Sequence, residues 1–162
     1  MRALLLSLAP DRNTSGRQPF SGTCGSRIAA LAGISHEHLY HYFDAASLIG
    51  YWPADVPSRL VSTVSREMIV AHERVIFVGR AVASCFGLRR LRPLVWQETM
   101  HNGSTFDAAV LPHPSGLNRW YNDPAHAAAA RAFLRDAISL RPAENHAGQA
   151  IMWVDGAEPA AL

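Results

Sequence analysis

The sequence predicts an α/β domain: a three-layer sandwich around a central, mostly parallel sheet of about four strands. Three observations predict it. Short apolar runs that stop at Gly or Pro alternate with stretches of helical spacing, the alternation that builds parallel sheets. The 162 residues suit one domain, since domains run to roughly 100–200 residues and a chain of this size buries most of its unfolded surface. Hydrophobic residues make up 49% and charged residues 17%, a balance too apolar for disorder.

Residues 3–9 read as a buried strand, an apolar run stopped by Pro10. From Met1 the same run has the outline of a short secretion signal, but Pro10-Asp11-Arg12 stands where a small-residue cleavage site belongs. The strand reading therefore stands, with an intracellular, cytoplasmic protein as the expectation. Residues 10–25 form a loop too long for a simple connector, and long ordered loops are usually functional. Ser26 to Ala32 reads as a short helix, with Gly33 as its stop. Leu39 to Leu48 reads as a second strand with its exit loop. Arg59 to Glu73 has helical spacing at Leu60, Val61, Val64, Met68 and Ile69.

Val75 to Val78, followed by Gly79, is a buried strand, and Arg80 to Phe86 a short helix. A further strand is expected around Leu94 to Trp96, and Asp107 to Leu111 is the last core strand, ended by Pro112. Asp123 as N-cap and Pro124 in the first helical position then open an alanine-rich helix to Leu140. The expected partition is a domain over residues 1–141 and a C-terminal extension over residues 142–162. Apart from Ile151-Met152-Trp153-Val154, a segment expected to dock, that extension is rich in Ala, Pro and Gly.

Composition excludes whole classes of chemistry. All 15 basic residues are arginine. Without lysine there is no Walker A loop, no internal Schiff base and no protein-kinase site. Cys24 and Cys85 are too few for a disulfide framework or a four-thiolate cluster and read as reduced thiols. His36, His38 and His41 lie close together but lack a carboxylate or thiolate at a metal spacing, so they read as structural or surface residues. No cofactor and no metal are expected. No run approaches the ~18 apolar residues of a membrane helix. The formal net charge of +2 is mildly basic and compatible with nucleic acid.

In parallel sheets ligands sit beyond the carboxyl ends of the strands. Two loops fall there: residues 10–25 after the first strand and residues 112–122 after the last. The second contains His113-Pro114-Ser115-Gly116-Leu117-Asn118-Arg119. This run resembles the H-P-S-x-L signature of the uracil-DNA glycosylase superfamily, and its Gly-Leu-Asn-Arg part is similar to the mismatch-specific branch. Ala9-Pro10-Asp11-Arg12-Asn13, followed by Ser15-Gly16-Arg17-Gln18-Pro19-Phe20-Ser21-Gly22, looks like the first motif of the iron–sulfur branches, where A-P leads into T-G-R-x-F-x-G. Val75-Ile76-Phe77-Val78-Gly79-Arg80 is similar to the family's V-L-L-G-R strand. Order and spacing agree over residues 3–140.

The resemblance implies a uracil-DNA glycosylase-like fold and a monofunctional DNA glycosylase of base excision repair, which flips a uracil-like or modified pyrimidine from DNA and hydrolyses its N-glycosidic bond. It implies that His113 donates to a carbonyl of the departing base, since donors aimed at developing charge are usually the largest catalytic effect. Phe20 would be the platform for the flipped base. Ser115 would hold a phosphate, and Leu117 would fill the hole in the stack. Gly116, Asn118 and Arg119 complete the DNA-binding loop, and Arg17, with Arg12, is a further phosphate contact. The pair Trp120-Tyr121 reads either as a DNA contact or as an aromatic anchor for that loop. DNA is the expected partner, the chain a monomer.

Departures from the family pattern shape the rest. The slots for the acid or amide that positions water hold Leu8 and Ala9, and a third holds Thr23. Asp11 and Asn13 are the nearest polar candidates for that task. The second strand of the family ends in an Asn that reads the base; here Asp44 or Phe43 fills the slot. A carboxylate only accepts hydrogen bonds, so Asp44 would suit a base edge that offers an amine. With two cysteines the chain cannot hold the iron–sulfur cluster of those branches. Two rival readings remain: a DNA- or base-binding module without catalysis, and an enzyme on free or hypermodified nucleotides.

Overall fold

All five residues of the first strand, β1 (Ala3–Ser7), are buried, with Leu4, Leu5 and Leu6 at 0% exposure. A strand apolar on both faces belongs inside a parallel sheet, and burying each leucine stabilises by about 1.5–3 kcal/mol. In a computed structural model, which describes residues 2–8, 18–48, 69, 71–101, 103–116 and 118–139, β1 has a parallel neighbour on either side. On one side lies β2 (Phe43–Ser47), on the other β3 (Arg74–Val78). Among the described residues, the hairpin of β4 (Gln97–His101) and β5 (Ser104–Leu111) completes a five-stranded sheet of order β2-β1-β3-β5-β4, in which only β4 runs antiparallel.

Strand alternation divides the core in two. Leu5, Ile76, Val78 and Leu111 point to the face covered by α1 (Thr23–Ala32) and by a long C-terminal helix. Leu4, Leu6, Phe77 and Val110 point to the opposite face, which carries α3 (Arg80–Cys85). Between α1 and β2 lie a 3-10 turn (His36–His38) and the single helical turn α2 (Leu39–Tyr42). The long helix, α4 (Pro124–Ser139), begins where Asp123-Pro124 predicts it; Asp123 Oδ1 accepts the amide of Ala125 at 2.8 Å. The arrangement is compatible with the predicted three-layer sandwich.

Four details differ from the sequence expectations. α1 starts at Thr23, not Ser26, because its N-cap is Gly22 with no side-chain cap to mark the start. The segment expected as strand from Leu39 opens as α2, since Leu39 and Phe43, four residues apart, both bury themselves in the same core. The strand placed at Leu94–Trp96 lies instead at Gln97–His101; Pro93 and Leu94 meet β5 through a bridge and a 2.9 Å bond to Val110. That makes five strands among the described residues where about four were expected.

Asp11, Arg12, Asn13, Arg17, Leu117, most of the helix expected over residues 59–73, and the extension at residues 142–162 lie outside the described residues. Among the described residues no helix is long and apolar enough to cross a membrane.

Candidate functional site

The chain steps from β1 to β2 on one side and then to β3 on the other, so the order reverses between β1 and β3. Ligands in open α/β sheets bind beyond the carboxyl ends of the strands at such a reversal. β3 ends there at Gly79, whose φ of 101° and ψ of 145° are open essentially only to glycine. Its amide bonds to the carbonyl of Leu111 at 2.8 Å, tying the ends of β3 and β5 together. A Cβ at position 79 would meet His113 Cβ at 3.4 Å. His113 thus sits, half-buried, directly over the end of β3.

The backbone around His113 is held at three consecutive carbonyls, each by a side chain from a different place. The Tyr121 hydroxyl donates to Pro112, Asn118 Nδ2 to His113 at 2.8 Å, and Arg27 Nη1, from α1, to Pro114 at 3.2 Å. Asn118 also accepts from the Trp120 amide through Oδ1 at 3.1 Å, capping the 3-10 turn Arg119–Asn122. A loop anchored this way holds the backbone that carries His113 in one position. Burial, and secondarily Cys24, push the Tyr121 phenol well above its ordinary pKa, so it remains a donor at neutral pH.

The first loop is anchored independently. Phe20 has a φ of 61°, a strained conformation for a bulky residue. His36 Nε2–H donates to the Phe20 carbonyl at 2.8 Å, and the Tyr40 hydroxyl to Pro19 at 2.7 Å. Burial raises the Tyr40 pKa to about 12. A Cβ on Gly25 would stand 1.8 Å from the Phe20 oxygen, so only glycine lets α1 approach this closely. Strained backbone of this kind clusters at ligand sites. At the ends of β1 and β2, Ser7 and Ser47 share a 2.7 Å hydroxyl–hydroxyl bond.

The structure brings together His113, Ser115, Gly116 and Asn118, and it places Phe20 in the same cluster as Val78 and Leu111, the last residues of β3 and β5. The Phe20 ring is buried there at 2% exposure. Arg119 is exposed on the 3-10 turn. Asn118, expected to contact DNA, uses both ends of its amide on the loop itself. Tyr121 acts as the aromatic anchor of that loop, while Trp120 stacks on His126 with ring centroids 4.3 Å apart.

Two expectations are corrected. Phe43 and Asp44 open β2 instead of ending it, because the preceding residues are helical; the residue that ends it is Ser47. Phe43 is fully buried in the core. Asp44 lies at the amino edge of the sheet, 3.2 Å from Arg2 Nε and 3.2 Å from His72 Nε2. Neither is placed to read a base bound near His113.

Sequence reading missed Arg27, Asn122 and Arg131. With Ser115, Gly116, Asn118 and Tyr121 they line a pocket of about 370 Å³ between α1, α4 and the His113 loop. The only signal was helical spacing: Arg27 with Ala30 and Leu31, and Ala127 with Arg131, share faces on their helices. Among the described residues no group of three or more His, Cys, Asp or Glu could hold a metal. Cys24 and Cys85 are reduced thiols that pack on opposite faces of the sheet. No protein-family model matches the chain, and no curated protein matches it.

Proposed function

We propose that the chain is a monofunctional DNA glycosylase with a uracil-DNA glycosylase-like fold, acting as a monomer on a uracil-like or modified pyrimidine flipped out of DNA. The observation that carries this reading is His113 held over the end of β3 by anchors on three successive carbonyls, at the sheet's point of reversal. It coincides with the residues of the H-P-S-x-L resemblance. In the reaction, water adds across the bond between C1′ of the deoxyribose and the base nitrogen. The hydroxyl goes to C1′, the bond electrons leave with the base, and the base ends protonated. His113 donates a hydrogen bond to the base oxygen on which negative charge grows.

Asp11 or Asn13 orients the water, and Phe20 is the residue that the resemblance assigns to the platform for the base. Without lysine the product is an intact strand with an abasic site.

The test is excision from labelled oligonucleotides carrying uracil, hypoxanthine, xanthine, 5-hydroxymethyluracil, and plain or modified cytosine, with alkali to reveal abasic sites. Wild type is expected to release one of these bases, and His113→Ala to lose about 10²–10³ of that rate at unchanged thermal stability. Full activity in His113→Ala would overturn the assignment. Salt-sensitive DNA binding without excision would move the chain to the binding-module reading.

A further inference from the structure

The pocket between α1 and α4 has a chemistry of its own. Two arginines line it, Arg27 from α1 and Arg131 from α4, with Ser115 and Asn122, and no Asp or Glu is among its lining residues. Both arginines are exposed, and no carboxylate among the described residues pairs with either. Ala30, Leu31 and Ala127 supply apolar wall. Two unneutralised guanidinium groups beside a low-dielectric wall make a field that favours an anion. The planar fork of each guanidinium suits a tetrahedral oxyanion with several acceptor oxygens, which a single carboxylate would satisfy less fully.

We propose that this pocket is a phosphate-binding site, filled by a phosphate group of a nucleic-acid strand or of a nucleotide. Arg27 connects it to the His113 loop, because its Nη1 holds the Pro114 carbonyl while the remaining N–H groups stay available to a ligand. A phosphate bound here therefore tightens the loop that presents His113. The reach is right for DNA. Ser115, on the pocket rim, is two residues from His113, so their Cα atoms are at most about 7 Å apart. Phosphates of one strand advance about 3.4 Å each along the duplex axis. A strand whose flipped nucleotide meets His113 brings a phosphate to the pocket within a step or two. Only this choice of DNA as the source rests on the glycosylase reading; the phosphate chemistry does not.

The test measures binding of a duplex oligonucleotide, a single-stranded oligonucleotide, a deoxynucleoside monophosphate and inorganic phosphate to wild type, Arg131→Ala and Arg27→Ala. Arg90→Ala, in an exposed turn after α3, serves as the control for loss of one positive charge. Circular dichroism and melting confirm that each variant folds. If DNA is the source, Arg131→Ala weakens duplex binding about tenfold and lowers the salt slope by about 0.9, while Arg90→Ala leaves the slope unchanged. If only the monophosphate or inorganic phosphate binds, and Arg131→Ala abolishes that binding, the pocket stands and the DNA reading falls. Equal loss in Arg90→Ala and Arg131→Ala, wild-type affinity in Arg131→Ala, or no binding of any probe by wild type overturns the proposal.

Discussion

Each edge of the sheet holds a histidine, and the two are built in opposite ways. At the carboxyl edge His113 rides on a loop, half-buried, over a glycine in a conformation other residues avoid. At the amino edge His72 is 6% exposed and bonded to Asp44, whose other oxygen meets Arg2, which in turn donates to the Tyr40 carbonyl at 3.0 Å. The second cluster is closed: its partly buried carboxylate has two partners, which offset the cost of taking the charge out of water. The first is a loop whose backbone is held at three successive carbonyls. What separates them is strand direction, because in a parallel sheet all βα loops open at one edge and the other edge is free to be knitted shut.

His113→Ala is the sharpest test of this contrast: on the proposed glycosylase reading it is expected to lose about 10²–10³ in excision rate with little change in stability. Gly79→Ala comes next. It forces a strained backbone worth about 1–3 kcal/mol and presses a methyl group against His113, so melting falls and, on the proposed reading, excision is expected to drop with it. Undiminished activity in that variant would mean that the position of His113 does not matter. Asp44→Asn should do the reverse, lowering stability by about 2–3 kcal/mol, measured by urea unfolding, with the choice of base unchanged. A changed base preference would return Asp44 to the reading of the base.

The smallest effect concerns pH. Tyr40 has its pKa raised to about 12 by burial, so its neutral form stabilises the fold fully below the unfolded value and this stabilisation is lost as pH climbs through the folded one. Melting temperature should therefore fall between about pH 10 and pH 12, and Tyr40→Phe should flatten part of that fall. Tyr121 is shifted in the same direction and keeps the remainder.

Much of the framework was legible because it is local. The leucines of β1, Val75–Val78 before Gly79, and Asp123-Pro124 each carry their own signal, of apolar run, turn residue or cap, and each element formed where that signal stood. β4 was misplaced because Gln97–His101 is a polar edge strand with little apolar alternation, although Asn102-Gly103, between the paired His101 and Ser104, is a strong hairpin signal. Asp44 was assigned to the wrong edge because the aromatic run before it reads equally as strand or helix, and a shift of a few residues moves a side chain from one end of the sheet to the other.

By itself the sequence determined the class of fold, the His113 loop and the chemistry that a chain without lysine cannot perform. Only the tertiary structure decided which carbonyls Tyr121, Asn118 and Arg27 hold, and that Arg27 and Arg131, far apart in the chain, share one pocket. The reason is physical. Propensity and patterning act over neighbouring residues, whereas an anchor or a paired charge depends on which helix faces come together, and that is settled by packing across the whole core.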